Sequence, residues 1–574
     1  MNICANFRSH SEVASYTGSP ESFEFARQKF EQCFKPYLTN RHSSCKSNMY
    51  ELPTRILEIQ KRNGEYDVRL RASKGAKDKY VTLSHCWGIK PMFTTTRSTL
   101  AEREAGIPFT SMPRTFRDAV DITYGLGFRL LWIDALCILQ GDKTDWQIES
   151  SKMHHVYQYC SVMISADDSK DGDGGCFNNN NQSLPWKVQP NWLSKTPVWV
   201  RLHKTHGALR SAMGLSPNDP VTRGPLADRA WAFQERALAP RILHYAGDEL
   251  IWECRSTFGC QCGAINQEVY FECTIKAKLG KLHRPELLDA NSWYDIIPEF
   301  SMRRLTVPTD RLPAMSGIAK LFQTTSTSKP EKSEIETTTS VGHEKQVKSP
   351  KFFPSTREKI KNSIKLSFGM KKQGMGQYLA GLWSGSLTYG MCWSANKQMI
   401  DELSEKPLQY IAPSWSWASV DHGKVQYAGS VATDITIVSF TCTPAGPDPT
   451  GEVSNGEITL TGDLARVLIT LETCSSDTTE DVGYYTLTNA RNHDISRHYF
   501  PDHILNQHDT HMAVTSGLHA YALILAPDMG LVVKHSSVKK GAFERIGSMA
   551  FGVEYGTPHS ILGWDAKKHK ITIV

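Results

Sequence analysis

The chain has 574 residues, 40% of them hydrophobic and 22% charged, and a formal net charge of +6. This ordinary globular mixture excludes collagen, coiled coil and global disorder, and the length suits about three to four domain-sized units. The longest notable apolar stretch, Leu130 to Leu139, is ten residues long and broken by Asp134, about half of what a membrane-spanning helix needs.

Residues 1–20 lack a basic segment followed by an apolar run, so no secretory signal is expected. Fourteen cysteines are scattered without a repeated framework, which suits a reducing, cytoplasmic setting. Residues 1–74 form an N-terminal region with a helical stretch near Phe23 to Tyr37. Tyr80 to Leu83 is a short apolar strand, ended by Ser84-His85-Cys86-Trp87-Gly88. A helix follows, with Ser111 as its cap, Pro113 in its first turn and Gly125 and Gly127 at its end. Phe128 to Asp134 is a continuous apolar run, as a strand buried on both faces requires. A second helix starts at Thr144, where Thr144-x-x-Gln147 reads as a capping box, and Ser161 to Ala166 is the third strand. Strands alternating with helices predict an α/β fold with a parallel βαβαβ core over residues 75–245.

Ligands of such sheets bind beyond the carboxyl ends of the strands. Ser84, His85, Asp134 and Cys137 are therefore rim candidates, with an ordinary turn carboxylate as the alternative for Asp134. On the second helix Trp146, Glu149, Met153, Val156, Tyr157 and Cys160 share one stripe. A carboxylate at Glu149 inside that apolar stripe is either functional or paired with a buried arginine such as Arg114 or Arg229. Arg229 to Glu235 forms a short helix that puts Glu235 one turn from Trp231, as a clamp or a site group, before the hairpin-like Arg241–Gly247 and Glu249–Cys254.

Residues 246–323 and 378–420 make a Trp-rich mixed region, split by an insert at 324–377. From Thr324 to Gln377 there are eleven Lys or Arg against five Glu, so the net positive charge of the chain resides there. Ten of the seventeen residues from Thr324 to Ser340 are Ser or Thr, which predicts disorder. Within 351–372, Ile360, Ile364 and Phe368 alternate with lysines as in a basic amphipathic helix, suited to an acidic membrane surface or acidic protein, with a solvated tether as the bland alternative. No aromatic interleaving points to nucleic acid. Residues 421–574 are β-rich, with strands at Glu457–Thr461, Tyr521–Ala526, Gly530–Lys534 and Lys570–Val574.

Cys33, His42 and Cys45, or Cys254, Cys260, Cys262 and Cys273, could be counted as metal ligands. Neither set has paired C-x-x-C spacing, so no metal is expected. Asp167-x-Ser169-x-Asp171-Gly172 imitates a calcium loop but has Asn178 at the twelfth position. Ser84 and Cys86 share one side of an extended segment and His85 the other, which argues against a cysteine hydrolase using Cys86, and Cys137 is the other thiol considered.

Three blocks resemble the fungal heterokaryon-incompatibility (HET) domain: YVTLSHCWG (Tyr80–Gly88), the run from Pro113 to Ala166, and RAWAFQERALAPRILHY (Arg229–Tyr245). The longer chain resembles stand-alone HET proteins through Leu52–Arg55, Leu305–Ala319, Tyr378–Trp383 and Pro413–Trp417, without a NACHT module or WD repeats. It departs from the pattern with His85, where Tyr is common, and with the basic insert. The resemblance implies a role in non-self recognition and programmed cell death, and a Toll/interleukin-1-receptor-like core, some members of which cleave NAD. On that analogy Glu149 is the candidate catalytic carboxylate, with Asp134 and Glu235 beside it; Ser84, Trp87 and Trp132 are substrate-binding candidates. NAD would then be substrate rather than cofactor. The alternative is a non-catalytic signalling module acting through protein partners or self-association.

Overall fold

In a computed structural model of the chain the described residues are, in the main, 13–34, 49–89, 93–179, 224–247, 249–263, 288–327, 374–395, 406–420, 435–474, 482–496, 499–505, 517–551 and 566–574, with short pieces between them. The basic 351–372 segment lies outside them. The Ser/Thr-rich run begins inside a helix, Pro313–Thr327, so its first four residues are ordered against the expectation for them. No helix among the described residues is long and apolar enough to cross a membrane.

The N-terminal half is organised by one nine-stranded sheet. Its strands are β1 (Arg55–Arg62), β2 (Glu65–Ala72), β3 (Val81–Ser84), β4 (Leu130–Trp132), β5 (Val162–Ser165), β6 (Arg241–Ala246), β7 (Glu249–Cys254), β8 (Phe258–Cys260) and β9 (Asn266–Gln267). Their order is β9-β8-β7-β6-β5-β3-β4-β1-β2. β3 pairs in parallel with both β4 and β5, and β6 extends the parallel set beside β5. Every residue of β3, β4 and β5 is buried, as short apolar strands covered on both faces must be.

The sheet is mixed rather than purely parallel. The hairpin β1–β2 adds antiparallel strands at β4, and β7 to β9 add antiparallel strands beyond β6. It therefore crosses both expected boundaries, near residue 74 and near 245. The helices α1 (Pro20–Phe34), α2 (Arg114–Gly125), α3 (Lys143–Tyr159) and α4 (Ala230–Leu238) accompany it. Two predicted caps move. α2 begins after Pro113 without a side-chain cap, and Ser111 instead ends a 3-10 turn. α3 is capped by Asp142, whose carboxylate accepts from the Thr144 and Asp145 N–H groups, rather than by Thr144.

The second half is built on tryptophan. Trp293, Trp383, Trp393, Trp415 and Trp417 are all fully buried in one cluster, which also takes Ile458, Leu460, Leu523 and Leu531 from the C-terminal sheet. Each removes roughly 200 Å² from water, on the order of 5 kcal/mol before conformational entropy is subtracted. The 22-residue strand Val453–Cys474 runs through that sheet and pairs with Thr436–Pro444, Val482–Asn489, Leu518–Ala526 and Lys567–Ile573. Its buried positions change from even (Ile458, Leu460, Leu464) to odd (Ala465, Val467, Ile469). With a side-chain period of two, the strand thus turns one face to the Trp cluster and then the other to a second core.

The hairpin Tyr378–Leu379/Leu382–Trp383 turns on Ala380 and Gly381, both with positive φ (44° and 92°), the pairing that a two-residue type I′ turn requires. The Gly381 carbonyl accepts the indole N–H groups of Trp293 and Trp417, each at 2.9 Å. A Cβ at Gly381 would stand 2.6 Å from Nε1 of Trp417. Gly381→Ala is therefore expected to destabilise the protein by about 2–4 kcal/mol, combining backbone strain with overpacking. Denaturant midpoints of the two proteins check this.

Candidate functional site at the ends of the parallel strands

The segments that leave β3, β4 and β5 at their carboxyl ends supply Cys86, Trp87, Gly88, Asp134 and Lys170 to one cavity of about 700 Å³. Its remaining wall comes from the start of α4 (Asp228, Arg229, Trp231), from Glu235 one turn on, from Trp146 on α3, and from residues 304–310. Gly88 (φ 76°) is needed here, because a Cβ would meet Asp171 at 2.4 Å. The outer wall is held by backbone hydrogen bonds, Ala230 N–H to the Arg304 carbonyl and Arg304 N–H to the Asp228 carbonyl. The indole of Trp231 donates to Asp310 at 3.0 Å, and burial pushes the Asp310 carboxyl up to about 6.

Two of the carboxyl groups in its wall, Asp134 and Glu235, are close enough for the charge of one to act on the other. Asp134 opens the short helical turn after β4 and accepts from its neighbour's Ala135 N–H (2.7 Å) and from the Trp87 indole (2.9 Å). Glu235 accepts a hydrogen bond from the Ser84 hydroxyl. Burial pushes Glu235 up to about 7; the charge of Asp134 adds to this, while Ser84, Arg229 and Tyr157 oppose it. Near neutral pH Glu235 therefore exists in both protonation states, a property suited to moving a proton. The Arg229 guanidinium donates to the His85 carbonyl, which fixes one cation beside the pair.

The predicted residues divide clearly. Trp87, Asp134 and Glu235 line the cavity. Ser84 is buried behind it and reaches it only through Glu235. Trp132 does not line it: its ring is 1% exposed and packs edge-on against Tyr157 inside the core. Glu149 is buried, as its stripe predicted, but does not line the cavity either. Its carboxylate accepts from the Thr54 hydroxyl at 2.8 Å and pairs with Lys152 at 3.4 Å, so the partner is neither Arg114 nor Arg229. His85 packs edge-on against Phe116, 5.1 Å between ring centres, and stands 3.7 Å from Asp134. Burial lowers it to about 4, Arg229 adds to this, and Asp134 opposes it, so the ring is neutral at neutral pH. Burial raises Cys86 to about 11 and Cys137 to about 12, which keeps both thiols protonated and disfavours a nucleophilic role.

Residues 80–235 match the family described as heterokaryon incompatibility protein (HET). The chain carries a HET domain. No curated protein and no solved structure matches the chain. The match runs from Tyr80, just before β3, to Glu235 in α4, and thus takes in Asp134 and Glu235. Outside it lie β1, β2 and β6 to β9, which complete the sheet of the HET domain.

A second cavity, also about 700 Å³, lies in the C-terminal region and is lined by Lys406, Ser414, Glu544 and Arg545 among others. There Ser536 and Lys406 hold Glu544 below the usual carboxylate range in spite of burial.

Next to the HET-domain cavity, but outside it, His244 on β6 is clamped between Asp167 (2.8 Å) and Glu253 (3.1 Å), and Arg236 also pairs with Glu253 (3.0 Å). Burial alone would lower His244, but the two carboxylates outweigh it and its pKa is raised above 6.5. The folded state then binds more protons than the unfolded one. Its contribution is complete below pH 6.5 and is lost as pH rises through the raised value. Urea midpoints of wild type measured from pH 6 to 9 are expected to fall relative to those of His244→Gln.

Proposed function

We propose that this HET-domain protein is an effector of fungal non-self recognition and cell death, and that the cavity beside Asp134 and Glu235 binds NAD and hydrolyses its bond to nicotinamide. The observation that carries the reading is Glu235, a carboxyl group near neutral pKa in a cavity wall beside a second carboxyl. The surroundings suit a dinucleotide. Trp87, Trp146 and Trp231 offer ring surfaces, and Arg229, Lys170 and Arg304 offer positive charge for a pyrophosphate.

In this reaction the bond from ribose C1′ to the pyridinium nitrogen breaks and its electron pair goes to that nitrogen. Nicotinamide leaves neutral, so no acid is required for its departure. The oxocarbenium-like carbon left behind is stabilised by the Asp134 carboxylate, and water adds to it while passing its proton to Glu235. Ser84 and Tyr157 act behind Glu235 by setting its proton affinity. Glu149 is proposed as a structural group that ties α3 to the Thr54 turn.

A non-catalytic assembly module is the second reading. It is favoured by the hydrogen bonds from Trp87 and Ser84 that already satisfy the two carboxyls in part. Incubating the full chain with NAD, at concentrations that permit self-association, separates the two. Release of nicotinamide and ADP-ribose supports the hydrolase, whereas intact NAD leaves assembly with protein partners as the function.

A further inference from the structure

Cys33, His42 and Cys45 lack paired C-x-x-C spacing, yet they converge with Cys254, which is 212 residues from His42. We propose that Cys33, His42, Cys45 and Cys254 bind one structural zinc ion. Their ligand atoms all lie within 4.8 Å of one another, and His42 Nδ1 is 3.7 Å from the sulfur of Cys254. A tetrahedral zinc with thiolate and imidazole ligands sets its donors roughly 3.5–3.8 Å apart, so small side-chain movements suffice. Three sulfurs and one imidazole nitrogen form a soft donor set that favours zinc over magnesium or calcium.

The surroundings point the same way. Arg241 is 1% exposed, and its described acceptors are the carbonyls of Ser161 and Cys45 and the sulfur of Cys33, with Nε 3.2 Å from that sulfur. A buried guanidinium needs negative charge nearby. Zinc with three thiolates and a neutral imidazole carries one net negative charge, which this arginine matches. Further donors reach the sulfurs: the Thr257 N–H bonds Cys254 Sγ at 3.2 Å, and the Ser256 hydroxyl lies 3.4 Å from Cys45 Sγ. Such contacts orient and stabilise metal-bound thiolates.

The position explains what the ion would do. Cys33 is near the end of α1, His42 and Cys45 belong to the segment that follows, and Cys254 ends β7 opposite Arg241 in register. Arg241 opens β6 and Ser161 precedes β5, so the cluster lies at the opposite end of the parallel strands from the cavity. Zinc there would fasten the N-terminal helix to the end of the sheet where β6 begins and β7 ends.

The test is metal analysis of the purified full chain, with Cys254→Ser and His42→Ala beside it. About one zinc per chain is expected in wild type, with most of it lost in Cys254→Ser. Because that variant could fail to fold, wild type stripped of metal is also titrated with cobalt. Thiolate-to-cobalt charge-transfer bands and intense tetrahedral d–d absorption should appear, and His42→Ala should alter the latter. A chain purified in the presence of zinc that holds none and gives no cobalt bands overturns the proposal. So does a disulfide joining two of the three cysteines.

Discussion

Glu235→Gln is expected to keep the fold and to lose NAD hydrolysis by roughly 100- to 10,000-fold, the range of a general acid–base contribution. The amide can still accept from the Ser84 hydroxyl, so the inner wall is conserved while the proton acceptor is removed. The pH profile makes the prediction sharper. If Glu235 must accept a proton from water, the wild-type rate rises as pH passes through about 7, where burial and the Asp134 charge have placed this carboxyl. Asp134→Asn removes the charge that helps to hold it there. Its residual activity should therefore have an inflection at lower pH, together with a reduced maximal rate. An unchanged inflection would mean that Asp134 does not act on Glu235.

The largest effect on stability is expected far from that cavity. Arg545 is completely buried, and bonds Asp502 through Nε (2.8 Å) and Nη2 (3.1 Å). It also donates to the carbonyls of Met391 (2.9 Å) and Trp393 (2.6 Å) and lies 3.3 Å from the centre of the Trp393 ring. The pair thereby joins the C-terminal sheet to the Trp cluster. Asp502→Ala leaves a buried guanidinium without its counter-charge and should cost about 3–5 kcal/mol. Replacing both partners with apolar residues, as in Asp502→Leu with Arg545→Met, should recover much of the loss. Urea unfolding followed by tryptophan fluorescence measures both.

The parallel strands were legible because short, continuous apolar runs ended at polar rims, and that pattern needs no knowledge of distant partners. The hairpin β1–β2 was also legible but was missed. Asn63-Gly64, at φ 51° and 87°, is the turn signal that would have revealed it. At Glu149 the helical stripe correctly gave burial. It could not give the partner, because Thr54 comes from a turn 95 residues away and Lys152 reaches back from the exposed side. Trp132 is the opposite case: it stands as a substrate-binding candidate beside the resemblance, not through a pattern in the residues, and its strand carries it into the core. Cys33, His42 and Cys45 were grouped by proximity in the chain, but Cys254 could not be joined to them, since it is 212 residues from His42 and only the fold brings them together.

The measurement that tests the central claim most directly is nicotinamide release from NAD by the full chain, with Glu235→Gln and Glu149→Gln assayed beside wild type after each is shown to be folded. The account predicts release by wild type and Glu149→Gln and almost none by Glu235→Gln. Release that survives in Glu235→Gln but is lost in Glu149→Gln would contradict it and move the chemistry to the cluster of Glu149, Thr54 and Lys152.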